Sequence, residues 1–236
     1  MSNIKYSIIC CYYNELNILE KKFQAFIKEV ENLPFSYEVF VCDNNSDDGT
    51  REFLQKIESQ KIEKFNFVYN SKNLGKGGSI KKCIKHSKGE FILIFDIDEY
   101  LTKDLIISDN LIVDDEGIDF LAGSRTLNQK EFIYKKNYYG VMAITMLMNF
   151  LFKINISDSA GATKIFRKSI YDNLDVKTNG FDFEFDVLCK FAKKGHKIRD
   201  FPIEYFPRTY AEGKKLRAFR DGTLILRTIL TNYLYK

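Results

Sequence analysis

The chain has no tryptophan, only two histidines and only three prolines among its 236 residues. His86 and His196 stand alone, so neither a Ser/His/Asp nor a Cys/His nucleophile arrangement is available, and both histidines are expected to be structural or exposed. The five cysteines (Cys10, Cys11, Cys42, Cys83 and Cys189) form no C-x-x-C pair, and no histidine is spaced to complete a zinc site. Four of them fall within apolar strand or helix patterns, where a thiol acts as a small hydrophobe. The expectation is free thiols in a reducing compartment, against a reactive thiol as the rival reading. No apolar run reaches the roughly 18 residues a membrane span needs. Met1 to Tyr6 leads straight into a strand pattern rather than a signal peptide. A cytoplasmic protein, soluble or peripheral on a membrane, is therefore expected. Internal repeats, low-complexity tracts and Pro/Ser-rich linkers are also missing, so nothing in the composition divides the chain.

What is present is ample core material. Hydrophobic residues make up 45% and aromatics 15% of the chain, enough for one α/β domain rather than a disordered segment. The net charge of +4 is uneven: Lys190 to Lys236 carries 12 Lys/Arg against 4 Asp/Glu, leaving 24 against 28 in the rest. Such a basic end suits an anionic partner (phosphate groups, a membrane surface or nucleic acid) or a solvated helix face.

Patterning gives the architecture. Tyr6–Cys11, Glu38–Cys42, Phe65–Tyr69 and Phe91–Phe95 read as short buried strands. Between them, Leu16 to Val30 and Phe53 to Ile57 recur at helical spacing, and a helix with Ile80, Cys83 and Ile84 inward follows the glycine-rich turn Asn73–Gly78. Asp47-Asp-Gly-Thr50 should cap the second helix. Apolar runs alternating with amphipathic helices predict a mostly parallel, Rossmann-like sheet covered on both faces. Ligands bind such sheets at the carboxyl ends of the strands, so Asn14, Asp43, Asn73 and Asp96 should line one crevice. Farther along, Phe120–Gly123, Thr163–Arg167 and Lys197–Tyr205 read as strands, and Phe183–Lys194 and Leu216–Tyr235 as helices. Tyr138–Phe152 reads as a core helix or one lying in a membrane interface. The expected organisation is a nucleotide-binding half over about residues 1–100 and an acceptor half over about 101–236.

The strongest chemical signal is Phe95-Asp-Ile-Asp-Glu99. Two carboxylates ending a wholly apolar strand repel each other and are partly desolvated. A divalent cation on Asp96 and Asp98 removes that cost; hard oxygens suit Mg²⁺ or Mn²⁺, which commonly bind one or two carboxylates plus substrate phosphates. The competing reading is a pair of surface acids. Gly75, Gly77 and Gly78 permit close backbone approach, and Lys76 is placed to meet phosphate, although the spacing is not that of a Walker loop.

Tyr12-Tyr-Asn-Glu15, Val41-Cys-Asp-Asn-Asn-Ser-Asp-Asp-Gly-Thr50, Asn73-Leu-Gly-Lys-Gly-Gly78, Asp96-Ile-Asp98, Gly123-Ser-Arg125, Asp158 with Gly161 to Arg167, Gly180-Phe-Asp-Phe-Glu184 with Asp186, and Arg208 with Glu212-Gly-Lys-Lys215 occur in this order. Together they resemble family-2 glycosyltransferases of GT-A fold, closest to the dolichyl-phosphate mannose synthase-like branch. The resemblance spans nearly the whole chain. It departs from the family where Cys11 or Tyr12 replaces proline, Asn44 replaces the second Asp, Asn45 replaces Gly, and Tyr100 stands where the third polar group after D-x-D belongs, with Glu99 one position early.

That resemblance implies inverting transfer from a UDP- or GDP-sugar, with Mg²⁺ or Mn²⁺ as cofactor. It places Tyr13, Asn14, Glu15, Asp43, Asn73, Gly75, Lys76 and Asp96 around the donor, with Asp43 accepting from the base or ribose. Arg125, Lys164, Arg208, Lys214 and Lys215 would hold the diphosphate and an anionic acceptor. Glu184 or Asp186 would take a proton from a hydroxyl acceptor, or serve only as acids favoured at a helix N-terminus. The favoured acceptor is a polyprenyl phosphate, with peripheral membrane contact, in the setting of cell-envelope polysaccharide synthesis; a glycan hydroxyl is the alternative. A non-catalytic nucleotide-sugar-binding module and a nucleotidyltransferase are readings of other classes. The latter lacks an early G-x-G-T-R run, and a nucleic-acid role finds no recognition motif.

Overall fold

Tyr6–Tyr12 (β1), Tyr37–Asp43 (β2) and Phe91–Ile94 (β4) are almost wholly buried, as strands covered on both faces must be. The computed structural model describes residues 4–96, 103–127, 135–161, 163–204 and 218–235. Phe65–Tyr69 (β3), Phe120–Ser124 (β5), Lys164–Arg167 (β6) and Ile198–Pro202 (β7) complete a seven-stranded sheet of order β3-β2-β1-β4-β6-β5-β7. The pairs β2–β3, β1–β2, β1–β4 and β5–β7 are parallel. β6 alone runs against its neighbours, antiparallel to both β4 and β5.

Among the described residues there are eight helices: Leu16–Glu31 (α1), Thr50–Glu58 (α2), Lys76–His86 (α3), Lys103–Asp114 (α4), Lys135–Phe152 (α5), Lys168–Tyr171 (α6), Phe183–Lys193 (α7) and Ala218–Leu234 (α8). Side chains alternate across a strand, so each face of the sheet has its own core. On one face Ile8, Cys10, Val39, Val41 and Leu93 meet Leu19, Phe23 and Val30 of α1, Leu54 and Ile57 of α2, and Leu105 and Ile112 of α4. On the other Ile9, Cys42, Ile92 and Ile94 meet Ile80 and Cys83 of α3, Met148 of α5, Leu188 and Phe191 of α7, and Ile225 and Ile229 of α8.

The expected strands and helices are all found, with small shifts at their ends. Among the described residues, the strand expected at Lys197–Tyr205 covers Ile198–Pro202, where it pairs with Phe120–Ser124. α4 occupies a stretch in which sequence gives little helical signal: Leu105, Ile106 and Ile107, then Leu111, Ile112 and Val113, come as two apolar triplets rather than one stripe. Of those six only Leu105 and Ile112 turn fully inward, with Asp104 and Ser108 buried beside them. The expected capping of α2 is partly different. Gly49, at φ +97°, is the cap residue, while the Asp48 carboxylate accepts from Thr50 N at 3.0 Å. α5 is the helix expected at Tyr138–Phe152; it buries Met148 but leaves Tyr139, Met146 and Phe150 mostly exposed, Phe150 at 81%. No helix of the described residues is long and apolar enough to cross a membrane. All five cysteines are unbridged.

Candidate active site

The parallel strands β1 to β4 end at one edge of the sheet, and the loops leaving that edge are tied together. Asn14, in a left-handed conformation at φ +53°, donates through Nδ2 to Asp47 Oδ1 at 2.7 Å and accepts from Asp47 N at 3.0 Å. Glu15 N donates to Thr50 Oγ1 at 2.8 Å. The Tyr13–Glu15 turn after β1 is thus fastened to the loop after β2, and Tyr13 is 36% exposed beside it.

Asp43 is fully buried at the end of β2. Its carboxylate accepts from Asn45 N, Ser46 N and Arg51 Nε, the last at 2.7 Å. Within the chain the side chain thus braces its own loop and neutralises Arg51; its expected contact to a base or ribose stays an expectation. The sequence reading missed Arg51, whose position as the second residue of α2 is the signal that could have found it.

The next loop is built from amides. Asn44 Nδ2 donates to Asn73 Oδ1 at 2.9 Å, while Asn44 Oδ1 accepts from Leu74 N at 2.8 Å. Gly75 N donates to Asn73 Oδ1 at 2.9 Å. Gly75 sits at φ +78°, and a Cβ there would lie 2.2 Å from the Asn179 carbonyl oxygen, so a side chain is excluded by both conformation and space. This close approach delivers Lys76, the first residue of α3, to the acidic centre.

Lys76 Nζ lies 3.0 Å from Asp96 Oδ2 and 2.8 Å from Glu184 Oε1. Burial works against its positive charge, but the two carboxylates outweigh that and hold the ammonium above the usual lysine range. Asp96 comes from the end of β4 and Glu184 from the first turn of α7, so one lysine joins the two halves of the chain.

Deeper in, Arg125, one residue past β5, grips the fully buried Asp158. Nε donates to Oδ2 at 2.7 Å and the terminal nitrogen to Oδ1 at 2.9 Å. Burial alone would raise the Asp158 carboxyl, yet the guanidinium outweighs it and keeps it below the usual range. Lys164, opening β6, is completely buried and donates to the Gly161 carbonyl. Burial pushes its ammonium down to about 8, opposed by Glu184 and Asp158 and assisted by Arg125 and Lys76. Lys76, Lys164 and Arg125 therefore share one charged centre with Asp96, Glu184 and Asp158. Asp158 is the member whose role spacing could not assign.

Glu184 and Asp186 do not share a task. Two positions apart on a helix, they face different ways. Asp186 accepts from Lys190 Nζ, from Asn232 Nδ2 at 3.0 Å and from Thr178 Oγ1 at 3.0 Å. Burial would raise its carboxyl, but these donors bring it below the usual range. It fastens α7 to α8, with no part in the charged centre around Lys76. Asp98, Glu99, Tyr100, Arg208, Glu212, Lys214 and Lys215 lie outside the described residues.

Of the two expected cation ligands, Asp96 stands just past β4 with its side chain 24% exposed and Lys76 as its counter-charge, a hard oxygen donor of the kind Mg²⁺ or Mn²⁺ takes.

The sequence pattern described as Glycosyl transferase family 2 matches residues 7–175. Glycosyltransferase AglD of Haloferax volcanii is 22% identical over 96% of this chain, which spans only 37% of that protein's length. The dolichyl-phosphate hexose transferase of the same organism is 24% identical, over 95% of this chain and 92% of its own. Among solved structures, glucosyl-3-phosphoglycerate synthase from Mycobacterium tuberculosis, in complex with Mn²⁺, UDP and phosphoglyceric acid, superposes on the whole chain and 80% of its own with a TM-score of 0.73 at 14% identity. That likeness shows a shared GT-A fold.

Proposed function

Because this chain belongs to glycosyl transferase family 2, we propose that this glycosyltransferase moves a sugar, with inversion, from a UDP- or GDP-sugar to a polyprenyl phosphate. The observation that carries the reading is the Lys76 bridge between Asp96 and Glu184 at the carboxyl edge of the parallel strands, where such sheets bind nucleotides.

Donor binding places a diphosphate beside Lys76, and the lysine exchanges its carboxylate partners for phosphate oxygens. Asp96, with Asp98 as its expected companion, would hold Mg²⁺ or Mn²⁺. That ion would supply charge neutralisation for the departing diphosphate. Tyr13, Asn14, Glu15 and Asn73 frame the donor cleft, while Asp43 shapes it from behind through Arg51.

The acceptor side is cationic. Lys164 and Arg125 stand near Glu184, and Arg208, Lys214 and Lys215 are proposed to join them. A phosphate acceptor is already ionised and needs no base, which is consistent with Glu184 serving as a counter-ion to Lys76. Exposed Tyr139, Met146 and Phe150 on α5 and Leu226, Leu230 and Leu234 on α8 supply an apolar face for peripheral contact with the membrane that carries such a lipid. The relative named dolichyl-phosphate hexose transferase supports this acceptor class.

The test is turnover. The chain is incubated with UDP- and GDP-sugars, Mn²⁺ and either a short polyprenyl phosphate or a soluble glycan. Release of nucleoside diphosphate dependent on the lipid phosphate, abolished by chelation and by Asp96→Asn, is expected. Transfer only to the glycan would move the acceptor to a hydroxyl and give Glu184 the base role. Donor binding without any release would make the chain a non-catalytic module.

A further inference from the structure

Three cysteines far apart in sequence converge on the α3 side of the sheet. Cys11 of β1 stands beside Cys42 of β2 in the parallel register, and Cys83 comes from the third turn of α3. Their Sγ atoms all lie within 4.8 Å of one another. Cys10, the neighbour of Cys11, points to the opposite face and belongs to the other core.

We propose that Cys11, Cys42 and Cys83 form a thiolate site for a soft metal cation, with three-coordinate copper(I) the best fit. Thiolates select soft cations, and sulfur–metal bonds of about 2.3 Å would place three sulfurs roughly 4 Å apart. A contraction of less than about 1 Å from the separations in this structure meets that requirement. No histidine or carboxylate of the described residues completes the cluster, which disfavours tetrahedral zinc and suits trigonal coordination.

The surroundings are polar on one side only. Asn70 Nδ2 approaches Cys42 Sγ at 3.7 Å and also donates to Ser79 Oγ at 2.9 Å. Lys82 Nζ donates to Asn70 Oδ1 at 2.9 Å, placing a positive charge behind the amide that faces the sulfur. Such an outer arrangement steadies sulfur ligands and offsets their negative charge. Cys42 and Cys83 are buried, and Cys11 is the least buried residue of the three. Metal capture leaves all three sulfurs as thiolates and releases whatever thiol protons they carry to solvent. The ion would staple β1, β2 and α3, of which β2 ends at Asp43 and α3 begins at Lys76. No donor sugar takes part, so the proposal stands or falls apart from the transferase reading.

The experiment uses the reduced full chain under anaerobic conditions, with copper(I) presented on a coloured bidentate chelator. The chain is expected to withdraw one equivalent. Cys11→Ser should weaken that transfer at least tenfold, and Cys189→Ala, which alters a buried thiol of α7, should leave it unchanged. On the wild-type chain, bound copper(I) should also protect Cys11 from alkylation, read by peptide mass; this measurement decides the matter should Cys11→Ser fail to fold. Failure to withdraw copper, equal withdrawal by folded Cys11→Ser, or unprotected Cys11 in the copper-treated chain would overturn the site and leave three thiols that merely fill space.

Discussion

Arg125 and Asp158 meet through two side-chain hydrogen bonds, at 2.7 and 2.9 Å, with a third at 3.1 Å from the Arg125 backbone N–H to the same carboxylate. The carboxylate is wholly out of water. Breaking a buried pair by removing one partner is costly, so Asp158→Ala should lose about 3–5 kcal/mol in urea unfolding. The Asp158 carboxyl is held down in the folded chain. Its stabilisation is thus present above the unfolded carboxyl value of about 4 and is lost as pH falls through the lower folded value. The acid limb of the stability profile should flatten in the variant.

Lys164 gives the opposite limb. Its ammonium is pushed down to about 8 when folded, against about 10.4 unfolded. Between these values the unfolded chain binds the extra proton, so stability should rise with pH from about 8 to about 10. Lys164→Met should abolish that rise and be relatively more stable at pH 7. Urea midpoints at pH 7 and 9.5 for both chains would show it; parallel pH responses would contradict it.

Lys76→Met should separate metal from donor. With the ammonium gone, Asp96 and Glu184 lose their internal counter-charge, so Mn²⁺ alone should bind more tightly, by about tenfold. Nucleoside diphosphate should bind about tenfold or more weakly, because a phosphate contact is missing. Calorimetric titration of each reads the two effects separately.

Glu184→Gln and Asp186→Ala should fail in different ways. The first should lower turnover and, since Asp96 still faces the Lys76 ammonium, lower the unfolding midpoint by less than the second. The second, by stranding Lys190, Asn232 and Thr178, should cost about 2–4 kcal/mol yet retain kcat in the folded fraction. Equal loss of kcat in both would refute the division drawn between them.

Much of this was legible in the sequence because strand ends and glycine turns have local signatures. Ile-Ile-Cys-Cys, Val-Phe-Val-Cys and Phe-Ile-Leu-Ile declare buried parallel strands, and the polar residue after each lands on the common edge. What could not be read were partnerships across the chain. The pairing of Asp43 with Arg51 was not foreseen, and Asp186 looked equivalent to Glu184 until α8 brought Asn232 against it. Asp158 was recognisable as part of a motif, but its claim on Arg125 spans 33 residues and depends on how β6 enters the sheet. Cys11, Cys42 and Cys83 carry no spacing signal at all; only strand register and helix packing unite them.

The antiparallel insertion of β6 carries one more consequence. β4 hydrogen-bonds to β1 on one side and to β6 on the other, so the first hundred residues do not own a finished sheet edge. Expressed alone, that fragment would present the naked flank of Phe91–Ile94, an apolar template for its own copies. The two halves of the chain are for this reason not modules to be exchanged between relatives at residue 100; a chimera must carry residues 164–167 with the first half or supply a strand that seals the same seam.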